Sequence, residues 1–314
     1  MDAANDAALG LGLDAGGTTT RWAVARGDGR LLAEGQLPGF SGLTLQDPER
    51  RPALVATINS LAAALRSHGA VQGVQAGITG LGQGNEPGAR WLREQMARAL
   101  DLPPIQVQLV SDIELACRDA FEPGEGYLVY AGTGSVAAFL DARGVLHRIG
   151  GRGGVLDDAG SGFWIAREAL KRIWRAEDEQ PGAWRHSPLA RRVFERIGSS
   201  EWAACREFVY RGDRGAVGQL ALAVAAAAEE DHAAMQLLQE AGRELGGLAC
   251  TLWKRFGPRP VAIAGRVRLL HPIIEQAVQA ALPAAAALRV APGAAHCSAA
   301  RRAARASHVA SLPA

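Results

Sequence analysis

The sequence predicts an α/β protein of two domains, in which mixed β-sheets carry helices on their faces. Three observations predict this fold class. The chain has 314 residues, which exceeds the size at which a single hydrophobic core stops growing. A short antiparallel meander of strands occurs twice, and helical and strand-like segments follow each one. Hydrophobic residues make up 48% of the chain, which is typical of a globular protein with a large core.

The first meander consists of three apolar segments separated by turn residues. Asp28 and Gly29 mark the hairpin turn between its second and third strands. Leu54, Ile58 and Leu61 then recur at helical spacing, which predicts a helix before the next strand. The predicted strands are residues 9–14, 21–25, 30–36, 71–79 and 105–110, and the predicted helices are residues 48–67 and 91–100.

The second meander follows a Glu-Pro-Gly-Glu-Gly cluster that interrupts the pattern near residue 122. Its predicted strands are residues 127–131, 136–140 and 145–149, and two further strands are predicted at 261–264 and 288–291. The segment between residues 161 and 256 is predicted to be mainly helical, with more helices at 270–281 and after Pro292. We therefore expect domains at residues 1–118 and 119–292, the second with a helical insertion. We expect residues 293–314 to form a helix that packs back on the first domain.

Composition excludes several classes of partner. The formal charge is +2, which is too close to balance for a nucleic-acid or membrane-surface protein. No uncharged apolar stretch reaches the length of a membrane span, and the N-terminus lacks the pattern of a signal peptide. The four cysteines and seven histidines show neither disulfide nor zinc-site spacing. We expect a cytoplasmic protein with free thiols, surface or hydrogen-bonded histidines, and a small-molecule partner.

The loop after the first strand has the composition of a phosphate-binding turn. Glycines allow backbone amides to approach an anion, threonine hydroxyls add donors, and Asp14 could hold magnesium through water. A hairpin that merely uses glycines remains an alternative. Gly10 and Gly12 match part of a dinucleotide fingerprint, but they fall inside the strand and no helix follows. A Walker A loop is excluded because no lysine follows the glycines.

The second meander contains a similar loop at residues 132–135, with the sequence Gly-Thr-Gly-Ser. One such loop is a weak signal. Two Gly/Thr hairpins that open two similar domains are more specific, because they can face each other and bind a triphosphate from both sides.

Two acidic segments are candidates for substrate chemistry. Asp112 follows a predicted strand at a helix start, where it could be a general base or a helix N-cap. Residues 150–165 form a glycine-rich loop that carries Asp157 and Asp158 into a helix. Its carboxylates suit sugar hydroxyls, although turn formation and capping explain the same residues.

Five motifs together resemble a known family. They are DAGGTTT at residues 14–20, the Ser111-Asp112 pair, GTGS at 132–135, the segment GGRGG…DDAGSGFWI at 150–165, and VAIAGRV at 261–267. In this order they resemble the N-acetylglucosamine kinase branch of the sugar kinase, Hsp70 and actin superfamily, which is shared with BadF/BadG-type ATPases. The resemblance covers residues 9–283.

This resemblance implies a duplicated ribonuclease-H-like fold whose halves close over ATP and a sugar. It implies a homodimeric carbohydrate kinase that uses ATP and Mg²⁺ to phosphorylate an amino sugar at the 6-hydroxyl. Asp14 resembles the magnesium-linked aspartate, and Asp112 matches the catalytic base. The implied ATP-binding residues are Gly16, Gly17, Thr18, Thr19, Gly132, Thr133, Gly134, Ser135 and Gly265. The implied substrate-binding residues are Thr79, Asp112, Gly151, Arg152, Gly153 and Asp158.

Three positions depart from the family pattern and affect substrate identity. Ala159 stands where a glutamate is usual, Ser41 lies in a stretch that lacks an asparagine of the eukaryotic enzymes, and Ala264 replaces a glycine. A second hypothesis is an ATPase that activates a partner reductase, like the BadF/BadG-type activators. Such activators hold an iron–sulfur cluster with cysteines, and no cysteine lies beside residues 132–135 here.

Overall fold

A computed structural model describes residues 8–82, 84 and 86–309. The chain divides into two compact units. Unit 1 comprises Met1–Glu122 and Pro292–Ala314, and unit 2 comprises Pro123–Ala291. Unit 1 is therefore built from two segments that are distant in the sequence.

Each unit contains a five-stranded sheet, and the two sheets have the same topology. The strand orders are β3-β2-β1-β4-β5 and β8-β7-β6-β9-β10. In unit 1, β2 is antiparallel to its neighbours β1 and β3, and β4 and β5 are parallel to β1. In unit 2, β7 is antiparallel to its neighbours β6 and β8, and β9 and β10 are parallel to β6. This repetition confirms the predicted duplicated α/β fold. The strands are β1 Leu9–Ala15, β2 Thr19–Arg26, β3 Leu31–Pro38, β4 Val71–Ile78, β5 Val107–Ser111, β6 Tyr127–Ala131, β7 Ser135–Leu140, β8 Leu146–Gly150, β9 Val261–Ala264 and β10 Leu288–Val290.

Helices cover the sheets, and most of them belong to unit 2. Among the described residues, no helix is both long enough and apolar enough to span a bilayer. The helices are α1 Gly42–Gln46, α2 Arg51–Leu65, α3 Pro87–Leu100, α4 Asp112–Ala120, α5 Gly162–Glu179, α6 Pro188–Ile197, α7 Trp202–Arg211, α8 Arg214–Gly218, α9 Leu220–Ala227, α10 His232–Phe256, α11 Pro272–Ala281 and α12 Ala295–Val309.

The helix predicted for residues 48–67 corresponds to α2, whereas the short helix α1 before it was not predicted. Asp47 has an extended backbone with φ −96° and ψ 106°. Asp47 precedes Pro48, and a residue before proline is sterically disfavoured in the helical region. The helix that begins at Arg51 then keeps Leu54, Ile58 and Leu61 buried, as their spacing predicted.

In unit 1 the two faces of the sheet are covered in different ways. On one face, leucines of β1 pack with α2 and α3 in a cluster that includes Leu11, Ile58 and Met96. On the other face α12 lies directly on β1, so closely that a Cβ at Gly10 or Gly12 would overlap its backbone. The two glycines therefore serve helix–sheet packing, consistent with rejecting a dinucleotide fingerprint.

The start of α12 is tied to α4 of the same unit. The carboxylate of Asp119 accepts hydrogen bonds from the Ala294 amide (3.1 Å) and from the Ser298 hydroxyl. Further along, Arg302 donates to Gln75 on β4 (2.9 Å) and to the carbonyl of Arg118 (2.7 Å). Helix α12 is thus an integral layer of unit 1.

Unit 2 has the larger core. Its β6, β7 and β9 side chains pack against α5, α9, α10 and α11, with Tyr127, Ile165 and Leu245 among the fully buried residues. The long α10 approaches α11 through Gly242 and Gly246, where an added Cβ would contact Ile274, Ala277, Val278 or Ala281. This helical layer supports the loops at the end of β6 and before α5.

Candidate functional site

The carboxyl ends of three parallel strands meet at one edge of the unit 1 sheet. Ala15 of β1 pairs with Ile78 of β4, and Ile78 pairs with Ser111 of β5. Because the three residues form one row across the sheet, the residues that follow each strand emerge side by side. Asp14, the loop at residues 16–19, Thr79 and Asp112 all lie at this edge.

The first loop is exposed and held by backbone hydrogen bonds. The Gly16 amide donates to the Thr19 carbonyl (3.1 Å), and the Gly39 amide donates to the Thr18 carbonyl (3.1 Å). A Cβ at Gly39 would overlap the backbone of residues 16–18, so this glycine permits the close approach of the loop. Gly17, Thr18 and Thr19 are exposed, as a turn that binds a phosphate requires.

Asp14 is half-buried and paired with an arginine of the neighbouring strand. Its Oδ2 accepts a 2.7 Å hydrogen bond from Arg21, whose position on β2 lies directly opposite. A single carboxylate fits Mg²⁺, because this ion usually keeps several waters and binds one or two carboxylates together with substrate phosphates. The fit is therefore of the kind expected for Mg²⁺ held with a nucleotide.

Asp112 is the first residue of α4, and the structure assigns the N-cap to its neighbour. The Ser111 hydroxyl accepts from the Glu114 amide (3.2 Å), which satisfies an N-terminal donor of the helix. Oδ1 of Asp112 accepts from the amide of Ile113 (2.8 Å). The alternative that Asp112 is the N-cap is thus wrong, while the helix N-terminus favours its negative charge.

Thr79 follows β4 and is exposed. Its amide donates to Ala15 (2.9 Å), and its carbonyl accepts from the amide of Gly42 (2.9 Å). Ser41, one of the departures from the family pattern, is the N-cap residue of α1, and its amide donates to the Thr44 hydroxyl (3.2 Å). Ser41 therefore fixes the start of α1 beside Thr79.

The second loop joins β6 to β7 in unit 2 and is bound to the start of α5. The amide of Gly162 donates to Gly132 (2.9 Å), and the amide of Phe163 donates to Thr133 (3.2 Å). The Ser135 hydroxyl donates to the Ala159 carbonyl (2.7 Å) and is buried. Only Thr133 of this loop is fully exposed, so its side chain is the most accessible donor.

The glycine-rich segment before α5 is organised around Asp158. This residue has φ +55° and its side chain is 5% exposed. Its carboxylate accepts from the Gly153 amide (3.1 Å) and is paired with Arg214 of α8. The structure thus gives Asp158 a role in holding the loop, whereas Gly151 and Arg152 are exposed.

Gly265 follows β9 and has φ +90°, a conformation that favours glycine. A Cβ there would overlap the carbonyl of Ala131 at the end of β6, so the turn is in close contact with the second loop. Ala264, the departure from the usual glycine, is 8% exposed and completes the strand.

His296 and Arg302 of α12 are less accessible to solvent than their residue types usually are. His296 is 8% exposed, and within the described chain its Nδ1 has no hydrogen-bond partner. Arg302 is also removed from solvent: burial, with the nearby Arg118 charge, lowers the pKa of its guanidinium to about 10. Sequence spacing alone gave no sign of either environment.

Residues 11–283 match the BadF/BadG/BcrA/BcrD ATPase family. This match covers most of the chain. The chain belongs to that family. The resemblance inferred from the five motifs is thereby confirmed, and the fold described above is that of an ATPase family.

Two solved structures are similar to this chain over nearly its whole length. A candidate N-acetylglucosamine kinase from Chromobacterium violaceum is 25% identical, with TM-score 0.69 over 93% of this chain and 98% of the other. A candidate N-acetylglucosamine kinase from Porphyromonas gingivalis has TM-score 0.73 over 96% and 99% of the two chains; at 19% identity it shows the fold alone.

A curated relative matches a shorter part of the chain. The N-acetylmuramic acid/N-acetylglucosamine kinase of Clostridium acetobutylicum is 33% identical over 87 residues. The matched region spans 28% of this chain and 28% of that relative.

Three residues that shape the candidate site were not predicted. Arg21 could have been predicted from the sequence, because in a tight hairpin the residue seven positions after Asp14 lies opposite to it. The contacts of Gly39 and Arg214 could not have been predicted from local sequence, because their partners lie far away in the chain.

Proposed function

We propose that this protein is an ATP-dependent kinase that phosphorylates a hydroxyl of an amino sugar. The arrangement at the carboxyl edge of the unit 1 sheet supports this most directly. This edge carries an exposed Gly/Thr loop, a carboxylate of the type that suits Mg²⁺, and a second carboxylate at a helix start. Unit 2 repeats the strand order and carries a Gly/Thr loop at the equivalent position, after its first strand.

The chemistry of this proposal is an in-line transfer of a phosphoryl group. The oxygen of the sugar hydroxyl forms a bond to the γ-phosphorus of ATP, and the bond from that phosphorus to the β,γ-bridging oxygen breaks. The hydroxyl proton passes to the carboxylate of Asp112, and ADP leaves with the electron pair of the broken bond. Because such a transfer needs little covalent help, positioning and charge stabilisation provide most of the rate.

The residues have separate roles in this proposal. Backbone amides that are not bonded within the loops at residues 16–19 and 132–135 would bind phosphate oxygens, and the hydroxyls of Thr18, Thr19 and Thr133 would add donors. Asp14 would hold Mg²⁺, which neutralises charge on the phosphates when bound. Thr79 and the exposed Gly151 and Arg152 would contact the sugar, and Gly265 would border the adenosine.

The substrate class is proposed from the relatives. Those described above are named for N-acetylglucosamine and N-acetylmuramic acid, and we propose N-acetylglucosamine or glucosamine, phosphorylated at the 6-hydroxyl. A homodimer in the cytoplasm stays a prediction, which light scattering and cell fractionation test.

A coupled ADP-release assay over hexoses and amino sugars, with a no-sugar control, tests the proposal. We expect release to depend on an amino sugar and phosphorus NMR to locate the new ester at the 6-position. Equal release with and without every sugar would contradict the kinase and favour the partner-activating ATPase. Iron analysis of the purified protein then tests that alternative.

A further inference from the structure

Unit 1 contains a group of three potential metal ligands that the proposed kinase mechanism does not use. Glu34 lies on β3, and His296 and Cys297 lie in the first turn of α12. One ligand atom from each residue lies within 4.8 Å of the other two. Among the described residues, this is the group of three His, Cys, Asp or Glu side chains whose ligand atoms lie close enough together to hold a metal ion.

The fold explains why residues so distant in sequence converge. Glu34 pairs with Ala23 of β2, so its side chain shares the sheet face of Ala23. Ala23 and Ala25 form a buried cluster with Cys297 and Ala300 of α12. The helix can approach this closely because Gly12 leaves room for the backbone of His296. The small residues of β1 and β2 therefore hold the helix start against the edge of β3.

The separations are close to those of a tetrahedral zinc site. Nε2 of His296 is 3.8 Å and Sγ of Cys297 is 3.6 Å from the same oxygen, Oε2 of Glu34. Zinc bonds of about 2.0 Å to nitrogen and oxygen and about 2.3 Å to sulfur imply tetrahedral separations of about 3.3 and 3.5 Å. The two separations from Oε2 are within about half an ångström of these values, and the imidazole and thiol ligand atoms lie within 4.8 Å of each other.

His296 provides an independent reason to expect a ligand. The residue is 8% exposed, and Nδ1 has no partner in the part of the chain that the structure describes. The distance from Nε2 to Glu34 exceeds that of a hydrogen bond. A buried imidazole usually has at least one hydrogen-bonded nitrogen. Among the described residues, the His296 ring has an unpaired Nδ1 and an Nε2 that approaches Glu34, so it is available as a metal ligand.

We propose that Glu34, His296 and Cys297 bind a Zn²⁺ ion, with water in the fourth position. Thiolate, imidazole and carboxylate together match zinc, whereas Mg²⁺ prefers six oxygen ligands. Binding replaces the proton of the Cys297 thiol by zinc, so one proton is released for each ion bound, and no oxidation occurs. The ion would tie α12 to β3 and stabilise unit 1.

Cobalt provides a direct optical test on the full chain, purified without a histidine tag and treated with a chelator. We expect one Co²⁺ per chain, with a thiolate-to-cobalt charge-transfer band and with displacement of the cobalt by Zn²⁺. Titration with Zn²⁺ in buffers of different ionisation enthalpy should give one released proton per ion. Absence of the thiolate band would overturn the proposal.

Variants identify the ligands and provide the control. Cys297→Ser should abolish the band, and Cys250→Ser should retain it, because Cys250 is a half-buried thiol of unit 2 that donates to Ala281. Glu34→Gln changes an exposed side chain, so the variant should fold, and it should weaken affinity by about tenfold or more. A band that survives Cys297→Ser, or an affinity unchanged in Glu34→Gln, would contradict the site. These readouts do not depend on kinase activity.

Discussion

Arg21 and Asp14 form an ion pair between directly opposed positions of two antiparallel strands, with 2.7 Å between Nη2 and Oδ2. Arg21 also approaches the carbonyl of Gly293 (3.4 Å), just before α12. The arginine therefore fixes one oxygen of the carboxylate. This restraint orients Asp14 at the sheet edge where the proposed nucleotide site lies.

Asp14→Ala should raise the magnesium concentration required for activity and leave the fold intact. The substitution removes a carboxylate at the end of β1 without disturbing a buried apolar contact. Titration of Mg²⁺ at fixed ATP measures the effect, and circular dichroism checks the fold. An unchanged magnesium requirement would show that Asp14 is a turn residue and that the metal is held elsewhere.

Asp112→Asn should reduce turnover by at least about 100-fold, which is the usual effect of losing a positioned general base. Nucleotide binding should change little, because the phosphate loops are unaltered. Steady-state kinetics and calorimetry with a non-hydrolysable nucleotide measure the two quantities. Near-normal turnover would exclude Asp112 as the base.

Ser111→Ala provides the matched control for helix capping. The Ser111 hydroxyl accepts the Glu114 amide, so its removal should reduce the free energy of unfolding by about 1 kcal/mol. Asp112→Asn should cost less than this, because it removes only the favourable interaction between the charge and the helix N-terminus. Denaturant unfolding of the two variants compares them, and the reverse order would mean that Asp112 carries the cap.

Gly12→Ala should destabilise unit 1 by about 1–3 kcal/mol, because its Cβ would overlap the backbone of His296 and Ala300. Gly247→Ala in α10 is the control, since no atom lies within 4 Å of its added Cβ. Replacing this helical glycine should be neutral or stabilising. Equal unfolding midpoints for the two variants would contradict the close packing of α12 on β1.

Arg214→Met should destabilise unit 2 by about 1–3 kcal/mol, because it leaves the buried Asp158 carboxylate without its charged partner. Arg211→Met is the control. Arg211 pairs with Glu207 on an exposed helix surface, and such a pair contributes little. Urea unfolding should separate the two variants. If both lose the same small amount, the Asp158 pair does not hold the loop.

Asp141 should contribute to acid sensitivity. Hydrogen bonds from His147 and from the Val145 amide hold the pKa of its carboxyl well below the ordinary value of 3.8. A depressed folded-state pKa stabilises the protein above the unfolded value, and this contribution is lost as the pH falls below about 4. Asp141→Asn should therefore make stability less dependent on pH in that range. Unfolding at stepped pH tests this, with Asp28→Asn of the β2–β3 turn as control.

Local patterns were sufficient to predict most elements of the fold. The alternation of apolar residues and turn signals located β6 and β9 at their observed bounds, and helical spacing located the buried face of α2. The short α1 was not predicted, and the restriction that Pro48 places on Asp47 explains why this helix ends where it does. These features depend on residues that are close together in the chain, so a single sequence is sufficient to predict them.

The candidate site was predictable only where its residues form short motifs. The two Gly/Thr loops and Ser111-Asp112 each occupy consecutive positions. The contacts of Arg214, Gly39 and His296 depend on elements brought together from distant parts of the chain. Spacing rules for zinc sites also assume ligands that are close in sequence, so they do not find Glu34 with His296.

The position of α12 has a consequence for synthesis on the ribosome. Domains usually fold as units while the chain emerges. The sheet of unit 1 is made first, but the helix that covers Gly10 and Gly12 is translated after all of unit 2. One face of the nascent sheet must therefore wait for the last helix, and the second unit can complete its fold before the first. A stop codon just before α12 would leave unit 2 complete, whereas unit 1 would lack its covering helix and be vulnerable to proteolysis.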